Sequence, residues 1–369
     1  MWHNRKQFII GILVFLGTVT CLMMTSDLRM IGVTSQSKED VRPVKHDHGC
    51  FSLSKTFHNV DHREQTRLER GCTKRKPDAL IIGTKKCGTS TLKDFIAFHP
   101  QIAAADFEAH YYDNKRFMGF DWFLEQMPYA LPNQLIVEKT PRYFVYPGVQ
   151  ERIRKELASN VKLIVIFRDP VVRAVSDYTH IIFKRYMTEK QKRSLDSDVL
   201  KPTLTPKQAE MRRKVKAEEA VFFRKYPNYD NIGDTFEESV LTDSGEIDTS
   251  SAIIDTGIYV KYVRKWLQYF PSKQFLFLDG DLLISDPVKV VAQVEEFLGV
   301  DPYFTPEHFL FSAEKGFFCL SQPMYACMKS AKGRPHLPVS DSTIEKLKRF
   351  YEPYNVELVK LLNQTFSFT

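Results

Sequence analysis

The sequence predicts an α/β fold: a single P-loop-like domain with a mostly parallel central sheet flanked by helices. Two observations carry that expectation. Four short apolar runs, Ala79–Gly83, Gln134–Val137, Val161–Phe167 and Gln274–Leu278, lack the alternation of a half-solvated strand and read as strands buried on both faces. Helical patterns separate them, and strand-then-helix alternation marks a parallel sheet. A length of 369 residues, 43% hydrophobic and 26% charged, supports a full core and excludes disorder throughout.

Taken in order, residues 1–7 form a short tail with Arg5 and Lys6 ahead of an uncharged run, Phe8–Met24. That run is long enough to cross a thin bilayer as a helix. Thr25-Ser26-Asp27 is a poor cleavage site, so residues 8–24 are expected to be a signal anchor rather than a cleaved signal peptide. The tail is then cytosolic and the rest lumenal. Residues 25–76 are polar without apolar periodicity and are expected to form a stem, leaving 77–369 as the catalytic domain. Helices are expected at about Thr89–Phe98, Val149–Leu157, Pro170–Lys184, Ile258–Tyr269, Pro287–Leu298 and Ser342–Leu362. A stretch rich in Lys, Arg and Glu, at about 184–225, breaks the alternation and reads as a helical insertion. No internal repeat is present.

Of six cysteines, Cys21 falls in the membrane run and Cys50, Cys72, Cys87, Cys319 and Cys327 on the lumenal side, where disulfides form. Cys319 and Cys327 lie close together in a turn-rich stretch and are expected to pair; Cys50 with Cys72 is a weaker second pairing. Asn363-Gln364-Thr365 is an N-glycosylation acceptor. Lys and Arg outnumber Asp and Glu by 52 to 45, and the net +7 suggests a polyanionic partner. In a lumen that partner is acidic polysaccharide, not nucleic acid.

Ligands of such sheets bind at the carboxyl ends of the strands. The first of those turns, Gly83-Thr84-Lys85-Lys86-Cys87-Gly88-Thr89-Ser90-Thr91, joins a strand to a helix, so its amides can face an anion while Lys85 or Lys86 adds charge. It has P-loop glycine spacing, but Thr89 stands where a triphosphate-binding loop needs Lys. A phosphate-like group bound without a metal fits better than a nucleotide kinase. The second turn, Arg168-Asp169-Pro170, places Asp169 as N-cap, Pro170 at the first helical position and Ser176 two turns on.

Five ordered segments, GTKKCGTSTL (83–92), EAHYYD (108–113), VEKTPRYF (137–144), FRDPVVRAVSDYTH (167–180) and the terminal KGFFCL with CMKSAKGRPH, together resemble the heparan sulfate glucosamine 3-O-sulfotransferases. The resemblance implies a Golgi type II membrane protein with a sulfotransferase fold, using PAPS (3′-phosphoadenosine 5′-phosphosulfate) and no metal. Lys85, Lys86, Cys87, Gly88, Thr89 and Ser90 would line the 5′-phosphosulfate, Arg168 and Ser176 the 3′-phosphate, and Lys332, Gly333 and Arg334 would close over the same cofactor. Glu108 would be the base at the sugar hydroxyl, with His110 and Asp113 beside it and Lys86 on the leaving phosphate. Lys139, Arg142 and His180 would face the sulfated chain. Ser90 replaces the Arg usual in this loop, Cys87 a Gly, His180 a Gln and Ser250-Ser251 a Ser-Trp pair. Competing readings are a heparan N-sulfotransferase and a catalytically decayed heparan-binding protein.

Overall fold

The computed structural model describes residues 46–194, 204–225, 232–328 and 336–369. The expected tail, the anchor at 8–24 and the start of the stem lie outside these residues. Among the described residues no helix is long and apolar enough to cross a membrane.

Three antiparallel strands come first: β1 (His46–Asp47), β2 (Phe51–Leu53) and β3 (Asn59–Asp61). The main sheet follows, built from β4 (Ala79–Gly83), β5 (Ile102–Ala104), β6 (Leu135–Lys139), β7 (Lys162–Phe167) and β8 (Phe275–Asp279) in the order β5-β6-β4-β7-β8. All four pairings are parallel, so every connection must cross over. Central strand β4 is buried along its whole length and β7 at every residue but its first, as expected when helices cover both faces. A hairpin of β9 (Phe309–Ser312) and β10 (Phe317–Leu320) stands apart from this sheet.

Among the described residues, helices of eight residues or more are α1 (Thr89–Ile96), α2 (Val149–Glu156), α3 (Pro170–Ser194), α4 (Pro206–Lys225), α5 (Tyr259–Leu267), α6 (Pro287–Leu298) and α7 (Asp341–Leu362). Each expected helix is present. Helix α3 runs past Lys184 to Ser194, because no Gly or Pro interrupts that stretch. Within the described residues the expected insertion consists of the end of α3 plus α4. The latter starts with Pro206 behind Thr205, whose hydroxyl accepts from Gln208 N at 3.3 Å while Gln208 Oε1 accepts from Thr205 N at 3.0 Å, a reciprocal cap.

The stem expectation needs correction: described residues from His46 onward already pack into the fold ahead of Pro77. Phe51, Leu53 and Phe57 are buried, the Cys50–Cys72 disulfide closes the segment, and Gln134 Nε2 donates to the His48 carbonyl at 3.1 Å. Three apolar anchors and one bridge hold a piece too short to show periodicity. Cys319 and Cys327 pair as expected, and Cys87 is free and buried.

Candidate active site

The carboxyl ends of β4, β6 and β7 open on one cleft of about 1120 Å³. At the end of β4 the chain turns tightly. A Cβ on Gly83 would lie 2.5 Å from Phe144 Cβ, so no larger residue fits there. Gly88, at φ +100°, starts α1, and no side chain caps that helix end. Its first-turn amides therefore have no capping partner and open on the cleft that Gly88, Thr89 and Ser90 line. Cys87 packs beneath the loop, 3.6 Å from the Tyr259 hydroxyl. Burial pushes its thiol up to about 12, which makes it an inert packing residue. Lys85 Nζ lies 2.7 Å from Asp177 Oδ1, and Asp177 Oδ2 accepts from the wholly buried Arg173 at 3.1 Å. A buried acid on α3 thus holds the first lysine of the loop.

At the end of β7, Asp169 Oδ1 accepts from Val171 N at 2.7 Å and Val172 N at 3.1 Å, the expected N-cap of α3. Arg168 Nε donates to Asp281 at 3.0 Å, and both Arg168 and Ser176 line the cleft. His336 lies near them. Burial first, then the positive charges of Arg168 and Lys86, lower its pKa, so this corner concentrates cationic potential.

At the end of β6 lies an ionic chain. Lys139 Nζ donates to Glu108 Oε1 at 2.5 Å and to Ser90 Oγ at 3.2 Å. His110 Nε2 is 3.2 Å from Glu108 Oε2, its Nδ1 is 2.9 Å from Asp113 Oδ2, and Arg142 is 3.6 Å from that same oxygen. Burial alone would raise Glu108, but the hydrogen bond from His110 and the charge and hydrogen bond of Lys139 outweigh it and hold the carboxyl at about 2. Burial alone would lower His110; hydrogen bonds and charge from Asp113 and Glu108 instead raise it to about 9. At neutral pH the pair is therefore carboxylate and imidazolium.

Beneath this chain, the fully buried Glu138 accepts from Ala109 N at 3.1 Å and from Thr140 Oγ1 at 2.5 Å, while Thr140 Oγ1 accepts from His110 N at 3.4 Å. Tyr143 Oη accepts from Tyr111 N at 3.0 Å. These contacts fix the backbone at His110, which adopts the left-handed φ of +52°, a conformation that needs outside support in a non-glycine residue.

Of the residues singled out in the sequence, Lys85, Lys86, Cys87, Gly88, Thr89, Ser90, Glu108, His110, Arg142, Arg168, Ser176 and His180 all line this one cleft. Lys139 and Asp113 do not. Lys139 was expected to face the sulfated chain, yet it is buried behind Glu108, and Asp113 is buried behind His110. Lys332, Gly333 and Arg334 lie outside the described residues. Ser250 and Ser251 engage Asp248 and the Ser239 carbonyl and do not line the cleft. Sequence reasoning passed over Asp177, Glu138 and His336, and it gave no role to Lys315, Phe317 and Phe318, which form part of the cleft wall. Asp177 and Glu138 lie within the quoted segments 167–180 and 137–144, but only their burial sets them apart from other acids, and burial is not written in the sequence. Among the described residues eight Lys or Arg line the cleft against two acids, Glu108 and Asp177, so it suits a polyanion.

The sulfotransferase domain family matches residues 76–361. Human heparan sulfate glucosamine 3-O-sulfotransferase 3B1 is 34% identical over 80% of this chain and 65% of its own length. The mouse 3-O-sulfotransferase 6 is 33% identical over 79% of this chain and 74% of its own, and the human 3-O-sulfotransferase 5 is 30% identical over 83% and 77%. The chain spans just under two thirds of the human 3B1 and 3A1 relatives, 65% and 64%. A sulfotransferase structure from Alicyclobacillus acidocaldarius superposes with a TM-score of 0.51 at 20% identity, covering 79% of this chain and 98% of that one, and has the same fold. By sequence, the chain belongs to the heparan sulfate glucosamine 3-O-sulfotransferase family.

Proposed function

We propose that this chain transfers the sulfuryl group of PAPS to the 3-hydroxyl of a glucosamine in heparan sulfate. The observation that carries the reading is Glu108: an ionised carboxylate on the wall of the cleft that also holds the uncapped start of α1. Of Glu108 and His110, only Glu108 can accept a proton at neutral pH, because His110 already carries one.

The residues fit PAPS. The α1 amides with Lys85 and Lys86 form an anion cradle for the 5′-phosphosulfate, and Arg168 with Ser176 offers a second anion site for the 3′-phosphate. When bound, PAPS supplies the activated sulfuryl group. Glu108 takes the hydroxyl proton as the new sulfur–oxygen bond forms and the bond to the 5′-phosphate breaks, and Lys86 stabilises the charge left on that phosphate. His110 and Lys139 hold Glu108 in place, and Asp113 holds His110. Arg142 and His180 remain on the wall as contacts for the sulfated chain. The two disulfides support a lumenal site of action, and Asn363, exposed just past α7, is accessible to a glycan.

The test is Glu108→Gln. Turnover should fall by roughly a thousandfold, as for loss of a general base, while 3′-phosphoadenosine 5′-phosphate binding persists in calorimetry. Unchanged turnover removes Glu108 as base. Disaccharide analysis of the product adds a second check, since label on the amine would make the reaction N-sulfation.

A further inference from the structure

Helix α4 packs against the segment that follows His110 and Asp113. Glu218 accepts from Arg152 Nη2 at 2.5 Å and lies 3.9 Å from Arg116. Gln208 Nε2 donates to the Met118 carbonyl at 3.4 Å, and Val215 is buried underneath. Between α4 and this segment is a second cavity of about 320 Å³. Among the described residues its lining includes Lys115, Arg212 and Lys216 and no acid. Trp122 and Phe117 add flat apolar faces. Lys115 Nζ stands 5.3 Å from the Trp122 ring centre and the Arg212 guanidinium 5.6 Å from that of Phe117, so the cations already lie against the rings. Asn114 and Lys115 line both this cavity and the main cleft, giving the two a shared wall.

We propose that this second cavity is an added subsite for the acidic saccharide acceptor, holding a sulfated or carboxylated sugar further along the chain whose hydroxyl reacts in the main cleft. It rests on the polysaccharide reading above, though not on the chemistry of transfer. The lining selects the ligand class. Three cations without an acid repel a basic partner, and an apolar partner would strand them without water or counter-charge. An acidic sugar offers anions to the cations and a ring face to the aromatics. Because both cavities would hold one chain, the second contact is intramolecular once the first is made, and long acceptors gain affinity that short ones cannot.

The test measures binding of a short and a long heparan sulfate oligosaccharide of uniform sulfation to the full chain by calorimetry, alongside 3-O transfer to each. Arg212→Ala with Lys216→Ala should weaken the long oligosaccharide by roughly tenfold, as for two exposed charge contacts, and bring the long-to-short affinity ratio close to one. Lys207→Ala with Lys214→Ala removes the same charge from the far side of the helix by its spacing and should preserve the ratio. All four side chains are exposed, so folding is not at stake. An unchanged ratio in the first pair, or equal losses in both pairs, overturns the subsite. A length-dependent affinity that responds as expected, without 3-O transfer, would uphold the subsite and reject the proposed reaction instead. Absence of binding to either oligosaccharide would reject both.

Discussion

His110 stands between two carboxylates, and the sign of its charge decides what Glu108 can do. Burial opposes the imidazolium, but Asp113 and Glu108 more than offset that and hold its pKa at about 9. A histidine raised in this way adds stability that is complete below its ordinary value of about 6.5 and is lost as pH rises through about 9. Replacing it by Gln removes that contribution. The melting temperature of the protein should therefore exceed that of His110→Gln most at about pH 6, with the gap narrowing by about pH 10. A gap constant across that range would mean that His110 is neutral. At this scale the sequence showed which residues meet but not their order. The GTKKCGTSTL segment was legible because its charges follow the end of a buried strand, whereas EAHYYD was legible only through the family resemblance. Lys139, read as a contact for the sulfated chain, turned out to be the inner partner of Glu108 and Ser90. No spacing rule tells whether a lysine at a strand's end points into a cleft or behind it.

Strand β6 shows what an element adds to its residues. It runs two residues beyond the apolar QLIV stretch, and those two, Glu138 and Lys139, carry the acid beneath the site and the cation within it. Their polarity hid them from a reading based on apolar runs. Burial raises Glu138 to about 7, against the hydrogen bonds from Thr140 and Ala109 and the charge of Lys139, which pull it down. A carboxyl raised above its unfolded value stabilises the fold fully below that value, and the contribution is lost as pH rises through about 7. Glu138→Gln keeps an acceptor for Ala109 N while removing the titration. Between about pH 5 and 8.5 the protein should lose melting temperature relative to this variant, and parallel curves would show that Glu138 does not titrate there. Helix α4 tells the opposite story. Its helical character was legible from its run of Lys, Arg and Glu, but its seat against the segment after His110 depends on Val215 and Glu218, which look like any buried and exposed residues of a charged helix.

Across the whole molecule, the N-terminal strands and the main parallel sheet form one folding problem. Strand β5 is an edge of the sheet, and edge carbonyls left unpaired invite aggregation. His48 Nε2 reaches the Ile102 carbonyl at 2.6 Å and Asn59 Nδ2 the Ala104 carbonyl at 3.1 Å, while Asp106 accepts from Asn59 N at 2.9 Å. Residues once expected to form a stem thus cover that edge. Composition concealed this, because three hydrogen bonds and three buried apolar side chains leave no periodic mark. The disulfide closing this piece spans 22 residues, for which the loop-entropy argument gives about 3 kcal/mol. Two variants separate the contributions. Cys50→Ser with Cys72→Ser should lower stability by about that amount in denaturant titration and leave a folded monomer. A chain starting at Pro77, which loses the edge cover as well, should elute as aggregate in size-exclusion chromatography, while one starting at Pro43 stays monomeric. A soluble, cooperatively melting chain from Pro77 would show that β5 needs no cover, and residues 46–72 would return to being a stem that merely rests on the domain.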